Sequence, residues 1–413
     1  MSGTGQQTIV VIGLSGAGLK TFNLLLEQLN HAKNYQSNIR IIAIEKSHYP
    51  YWAPGSLRAS VLNGFEHKVV RNFDHLIPTN IQRHHPDQVN IFTGTEVREL
   101  DLKNRLLTLD KPLDLEGLQI IDETGNKLKF DYLVIASGSS YPFPCRPPPE
   151  AETSEELKTQ LRTLQEQIKD STSIVVVGAG VVGIELAGEI SSQYKHKSIT
   201  LICSTDTLLP DQNPTLSDSL KNQLAQRNVK IIYGSKANIA QLGITKTGKL
   251  DKRSKIGLTR SDGGESSEEV EADFVFLAIG NKPNTQFVPA EYLCPKSRLI
   301  KVNEHLQVVG EDGEPVAGVY GVGDATNFQE AKLYAALDGQ AATASKNLWI
   351  DVSDSHANKM IHKPIKGTIS VPLGPCGGAT ELFGFTFGLG PWSTSLIKGR
   401  SLFVWMFNSM YPE

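Results

Sequence analysis

Twice in 413 residues, a short β-branched run breaks into closely spaced glycines and continues as an apolar helix. Thr8–Ile12 (TIVVI) leads into Gly13-Leu14-Ser15-Gly16-Ala17-Gly18, and Leu19–Leu29 follows with apolar residues at helical spacing. Ser173–Val177 (SIVVV) leads into Gly178-Ala179-Gly180-Val181-Val182-Gly183, and Ile184–Glu189 continues with small residues suited to close packing. Runs of this kind read as strands buried on both faces, as in parallel sheets covered by helices. Glycine at the turn lets backbone approach a phosphate held at the positive end of the next helix. The chain is therefore predicted to be α/β, with two Rossmann-like dinucleotide-binding domains and a small C-terminal α+β domain.

The rest of each unit is consistent with that reading. In the first, Ile39–Ile44 is a second apolar strand ending at Glu45, where a carboxylate accepts hydrogen bonds from ribose hydroxyls. Ser15 stands where a second glycine is usual. Asp131–Ala136 closes on Ser137-Gly138, where the chain leaves this domain. Gly318–Val322 reaches Gly323-Asp324, an acid placed either to accept from the polyol chain of a flavin or to cap a turn. In the second unit, Asp273–Ile279 ends at Gly280 in the same manner, and Ser198–Ile202 ends in Cys203-Ser204. Neither an acid nor an arginine follows that strand directly, so NADH and NADPH both stay open. Two such starts imply two nucleotides, FAD on one and NADH or NADPH on the other.

Composition removes other classes. Hydrophobic residues make up 39% and charged residues 21%, as in a globular protein, and a net charge of −3 argues against a nucleic-acid partner. No apolar run approaches the ~18 residues of a membrane span. The N-terminal residues show no basic region of a secretory or transit signal, and Ser2 excludes N-myristoylation. The four cysteines, Cys145, Cys203, Cys294 and Cys376, are too scattered for a Cys-x-x-Cys pair or a metal cluster, so no metal is expected.

These residues resemble the two-dinucleotide flavoprotein superfamily, and within it the apoptosis-inducing-factor-2-like group that includes ferroptosis suppressor protein. The likeness runs from about Thr8 to Phe403. It is carried by Leu57-Arg58-Ala59-Ser60-Val61, Ile135-Ala136-Ser137-Gly138-Ser139, Gly178–Glu189, Val302–Val308 (VNEHLQV), Gly321-Val322-Gly323-Asp324 and Ser395-Leu396-Ile397-Lys398. The resemblance implies that Gly13–Gly18, Glu45, Arg58, Val97, Ala136, Ser137, Gly138, Gly323 and Asp324 bind FAD. Arg58 would approach the phosphates or the ring edge, and Val97 the adenine. Gly178, Gly180, Gly183 and Gly280 would bind the nicotinamide nucleotide. Glu185, Lys332 and Lys398 would be catalytic, Glu185 near the flavin–nicotinamide contact and the two lysines near the flavin. Lys332 is expected to open a helix over Lys332–Leu348. For Glu185 the alternative is an ordinary first-turn acid, and for Lys398 a solvated lysine.

Disulfide reductases of that superfamily carry a cysteine pair, but the segment after Glu45, KSHYPYWAPGSLRAS, has none. The implied activity is an NAD(P)H:quinone oxidoreductase. The alternatives are a ferredoxin or rubredoxin reductase, or a redox-sensing interaction protein. Gly339-Gln340-Ala341-Ala342 reads either as a quinone-pocket pattern or as core packing. Leu402–Phe407 (LFVWMF) reads either as a segment lying in a membrane interface or as a last element packed on the flavin domain or on a second protomer of a homodimer. A peripheral membrane contact is placed at 396–411, on a cytoplasmic protein at a membrane, lipid droplet or mitochondrial surface. The domains are expected at 1–145 with 285–352 for FAD, 146–284 for NAD(P)H, and 353–413 for the C-terminal part. Thr153–Lys169 reads as a polar helix with a solvated face, and Arg260–Ala272 as a surface hairpin loop or a locally disordered segment.

Overall fold

The structure is a computed structural model that describes residues 6–31, 38–74, 76–85, 87–114, 120–264, 268–386 and 390–412. The chain divides into two compact units. One comprises Met1–His48, Phe73–Ser140 and Lys282–Ile365, and the other Tyr49–Asn72, Tyr141–Asn281 and Lys366–Glu413.

The first unit is built on a six-stranded sheet. Its order is Gln307–Val309, Pro315–Gly321, Tyr132–Ile135, Gln7–Ile12, Ile39–Ile44 and Val89–Phe92. Strand Gln7–Ile12 runs parallel to both neighbours, pairing Ile9 with Ile41 and with Tyr132. Every residue of Ile39–Ile44 is buried, Arg40 included, as in a strand of a sheet covered on both faces. Helix Gly16–His31 buries Leu19, Phe22, Leu25, Leu26 and Leu29, the stripe that its spacing predicts.

The second unit has its own six-stranded sheet, ordered Val229–Ile232, Ser198–Ile202, Ser173–Val177, Glu269–Leu277, Gly248–Arg260 and Ser235–Ala237. The first four run parallel, with Ile199 paired to Val229, Ser198 to Ser173 and Phe274 to Ile174. Gly248–Arg260 and Glu269–Leu277 form an antiparallel hairpin, and part of the expected loop, residues 265–267, lies outside the described residues.

Two expectations change here. Residues 353–413 are not one domain. The stretch up to Ile365 is tied to the first unit, where Met360 N–H donates to Asn347 Oδ1 (2.6 Å) and Lys359 pairs with Asp351 (2.7 Å). Lys366–Glu413 belongs to the second unit, where strands Ile369–Pro372, Gly378–Leu382 and Phe385–Thr386 form a small sheet. Tyr49–Asn72 also joins the second unit, because Trp52 stacks on Phe407 at 5.4 Å and donates Nε1–H to Leu402 O at 2.7 Å. Helix Ser154–Asp170 starts with a Thr153/Glu156 capping box and keeps the polar face expected of it exposed. Leu157, Leu161, Leu164 and Ile168 are buried along one stripe.

Candidate nucleotide-binding and redox site

The two glycine turns have the same construction. Gly13 has φ +94°, and a Cβ there would stand 2.5 Å from Ala136 O; Gly178 has φ +106°, with the same atom 2.4 Å from Ala278 O. A Cβ on Gly18 or Gly183 would come within 1.9 Å of the carbonyl of Gly13 or Gly178 respectively. Neither position of either pair tolerates a side chain, so each helix start is pressed onto its own strand. Space opens at Gly180, the N-cap of helix Val181–Gln193, and above Gly138 and Gly280, where a Cβ would meet nothing within 4 Å. Ser15 is exposed at the matching position of the first turn.

In the first unit the turn continues into Glu45. Its Oε2 accepts from Leu14 N–H (2.6 Å) and its Oε1 from Ser47 N–H (2.8 Å). Burial raises the Glu45 pKa, and those amides oppose the rise. Thr95 N–H donates to Glu45 O at 3.0 Å, which brings the loop before Val97 beside the acid. Val97 itself is buried at the start of strand Val97–Asp101.

At the other side of the same turn, Gly323 (φ +77°) packs on Ala17, and Ser139 Oγ donates to Asp324 Oδ2 at 2.9 Å. Ser137 Oγ is buried with no hydrogen-bond partner among the described residues, while Asn284 Nδ2 takes the Ser137 carbonyl at 2.9 Å. An orphaned hydroxyl beside an open glycine and an acid on a positive-φ turn fit a polar, phosphate-bearing group such as FAD.

Lys332 does not open a helix. The helix is Ala336–Val352, and Lys332 lies in the turn before it, donating Nζ to Thr326 O (2.7 Å) and sitting 3.4 Å from Gly323 O. Burial lowers its pKa, against the raising fields of Asp324 and Glu330.

Sequence reasoning missed a buried chain behind this turn. Gly323 N–H donates to Gln340 Oε1 (2.7 Å), and Gln340 Nε2 donates to Glu330 Oε2 (2.7 Å). Glu330 also meets His362 Nε2 (2.9 Å) and accepts from Ile365 N–H (2.7 Å). Gln340 thus holds the Gly323 turn, which accounts for a polar residue among small ones in that helix. That polarity was the one signal available in the sequence.

In the second unit, Glu185 and Lys398, far apart in sequence, come together: Lys398 Nζ donates to Glu185 Oε1 at 2.7 Å and reaches Ser370 O at 3.3 Å. Burial holds the Glu185 pKa above its ordinary value, and Lys398 pulls it back. The Arg58 guanidinium, 3% exposed, pairs with Glu189 (2.7 Å) and donates to the carbonyls of Gly399 (2.6 Å) and Arg400 (3.2 Å). These partners all lie in the second unit.

The last segment packs on protein. Leu402, Phe407 and Tyr411 are buried, and helix Val404–Met410 leaves Trp405 63% exposed. Trp392 (55%), Leu396 (54%) and Phe383 (80%) are exposed in the same C-terminal part. No helix among the described residues is long and apolar enough to cross a membrane. All four cysteines are free; Cys145 and Cys203 are buried, and burial pushes the Cys145 thiol up to about 12.

Comparison with known proteins agrees with this geometry. The profile of the family described as pyridine nucleotide-disulphide oxidoreductase matches residues 7–345. Apoptosis-inducing factor homolog B of Dictyostelium discoideum is 27% identical over 385 residues, covering 90% of this chain and 91% of that protein. Ferroptosis suppressor protein 1 of Homo sapiens is 27% identical over 359 residues, covering 84% and 83%. Among solved structures, reduced Bacillus anthracis CoADR-RHD matches with a TM-score of 0.62 at 16% identity, over 91% of this chain. The chain spans 61% of that structure's own length, and the likeness concerns the fold.

Proposed function

The chain belongs to the pyridine nucleotide-disulphide oxidoreductase family, using FAD and NADH or NADPH, and we propose that it passes their electrons to a quinone. The observation that carries this reading is the duplicated glycine cradle, one copy joined to Glu45 and Asp324 and the other to Glu185. In the first unit, Gly13–Gly18 with Ser137, Gly138 and Asp324 would hold the pyrophosphate and polyol of FAD, Glu45 its ribose, and the backbone at Val97 its adenine. In the second, Gly178–Gly183 and Gly280 would hold the nicotinamide nucleotide. Bound FAD supplies the two-electron acceptor for hydride.

The chain's own residues set the charge around that chemistry. Lys332, kept close to the Gly323 turn, would offer a cation to the negative charge of a reduced flavin held there. Glu185 stands in the helix that opens on Gly180, and Lys398 favours the ionised form of its carboxyl against the rise that burial causes. Four free thiols, two of them buried, support direct delivery to a diffusible acceptor rather than a dithiol relay. Exposed Trp392, Leu396 and Trp405 support an acceptor drawn from a lipid surface and a peripheral membrane contact within 396–411.

The test is anaerobic stopped-flow reduction of the purified yellow protein by NADH and NADPH, then reoxidation by short-chain ubiquinones, menadione and a ferredoxin. Fast bleaching followed by quinone-dependent recovery is expected. Recovery with ferredoxin alone, or with no acceptor at all, would overturn the quinone reading.

A further inference from the structure

Behind the Glu185–Lys398 pair lies a second layer. One helical turn on, Glu189 is also buried, and Arg58 grips it with Nε (3.0 Å to Oε2) and Nη2 (2.7 Å to Oε1). The same guanidinium donates outward to the carbonyls of Gly399 (2.6 Å) and Arg400 (3.2 Å). Those are the two residues that follow Lys398, and Ser395–Gly399 is a π-helical turn. Single wide turns of this sort cluster at functional sites. The turn is further pinned by Arg400 Nε on Ser395 Oγ (3.2 Å) and by Ser395 Oγ on Pro375 O (2.7 Å). Gly399 has no spare room: a Cβ there would stand 3.1 Å from Pro375 O and 3.2 Å from Gly374 O.

We infer that Arg58 and Glu189 are positioning residues that fix the turn carrying Lys398 and so aim its ammonium at Glu185. The inference rests on the proposed role of Glu185 and Lys398. A lysine stem is long and flexible, so its head is placed only as well as its backbone is held. A buried Arg–Glu pair adds little stability over apolar packing, whereas its fork geometry fixes direction. The titratable groups whose charge reaches Glu185 are Lys398, Glu189, Arg58 and the Cys145 thiol. Of these, Lys398 alone is hydrogen-bonded to it among the described residues. If the turn slackens, Glu185 keeps its burial and loses its cation, and its protonation moves to higher pH.

The experiment uses the full-length holoprotein and the variants Arg58→Lys, Glu189→Gln, Gly399→Ala and Lys398→Met. Flavin reduction by NADH is followed across pH, NADH affinity by titration, and residues 395–400 by hydrogen exchange. Arg58→Lys and Glu189→Gln are expected to leave NADH affinity within about twofold and move the acid limb of the reduction rate upward by about half a pH unit or more. Exchange at 395–400 should rise about tenfold while helix Val181–Gln193 is unchanged. In the Lys398→Met background neither change should move the limb further. Gly399→Ala shifts the turn without uncovering a buried charge and should act likewise if an Arg58 variant does not fold. A lowered melting temperature with an unmoved acid limb, or a full effect in the Lys398→Met background, would reduce the pair to a structural tie. An unchanged rate and limb in Lys398→Met itself would instead remove the reading of Glu185 and Lys398.

Discussion

Cys203 stands in the sheet of the second unit where Glu45 stands in the sheet of the first. Each donates its N–H to the neighbouring strand at 2.8 Å, Glu45 to Phe92 O and Cys203 to Ile232 O. Each accepts at 3.0 Å from the chain beyond that strand, from Thr95 and Ser235 respectively. Cys203 Sγ is turned inward to Thr205 Oγ1 at 3.3 Å. A carboxylate here would accept from a ribose 2′-hydroxyl and repel a 2′-phosphate, and a thiol does neither.

NADH and NADPH should therefore reduce the protein with kcat/KM values within about tenfold of each other. Cys203→Glu should restore the Glu45 arrangement and set a charge against the 2′-phosphate. That costs on the order of 1–3 kcal/mol, or roughly ten- to hundredfold against NADPH. Steady-state kinetics with both nucleotides checks it, and an unchanged ratio in a folded variant sinks the assignment.

Gln340 gives a prediction about flavin retention. Replacing it with Leu removes the acceptor of Gly323 N–H and the donor to Glu330 in one step. A buried polar group left unpaired costs about 1–3 kcal/mol. Gln340→Leu should lower the melting temperature of the flavin-free protein and weaken reconstitution with FAD by about tenfold. Unaltered FAD affinity in titrations of the apoprotein would show that the Gly323 turn does not depend on this chain.

Lys398→Met should make stability strongly pH-dependent. Burial already raises Glu185 above its ordinary range, and Lys398 is the largest opposing influence. A carboxyl whose folded pKa is raised binds more protons folded than unfolded, so stability falls as pH rises from the ordinary carboxylate range through the folded pKa. Removing one partner of a buried pair costs about 3–5 kcal/mol. The loss in Lys398→Met should be largest near pH 8, shrink toward pH 5, and be relieved by Glu185→Gln. Denaturant melts at both pH values decide this; a pH-independent loss speaks against an uncompensated carboxylate.

The exposed C-terminal tryptophans separate membrane contact from folding. Truncation after Arg400 would remove Leu402 and Phe407, which pack on Trp52, and so confound the two. Trp392→Ser with Trp405→Ser touches exposed side chains and should shift stability by within about 0.5 kcal/mol. Co-sedimentation with anionic liposomes and turnover of a long-chain quinone should fall, while reduction of a water-soluble acceptor persists. Undiminished liposome binding in this variant would end the membrane reading.

The parts legible in the sequence were those governed by local chemistry. A buried parallel strand is mostly apolar, and a helix start pressed on its strand must be glycine, so Gly13, Gly18, Gly178 and Gly183 were visible. Glu45 was visible because it ends a strand. The partners of Arg58, Glu189 and the carbonyls of Gly399 and Arg400, were not legible because they are distant in the chain and carry no mutual spacing. The same holds for Gln340, Glu330 and His362, brought together only by the packing of helix Ala336–Val352. The start of that helix was misplaced because Lys332–Ala335 continues the apolar pattern, while Lys332 itself is held back by the Thr326 carbonyl.

Gly180→Ala tests which nucleotide each cradle holds. Gly180 has φ −73°, a value any residue adopts, and a Cβ there meets no protein atom within 4 Å. The substitution should therefore change stability by within about 0.5 kcal/mol, unlike Gly183→Ala, whose Cβ would collide with Gly178 O at 1.9 Å. The space left at Gly180 is the space into which a pyrophosphate would come, and a methyl group there holds it away from the helix N-terminus. Gly180→Ala should raise the KM for NADH and NADPH about tenfold or more, while the purified protein keeps its flavin absorbance. Loss of the flavin with unchanged nicotinamide affinity would reverse the assignment of the two units.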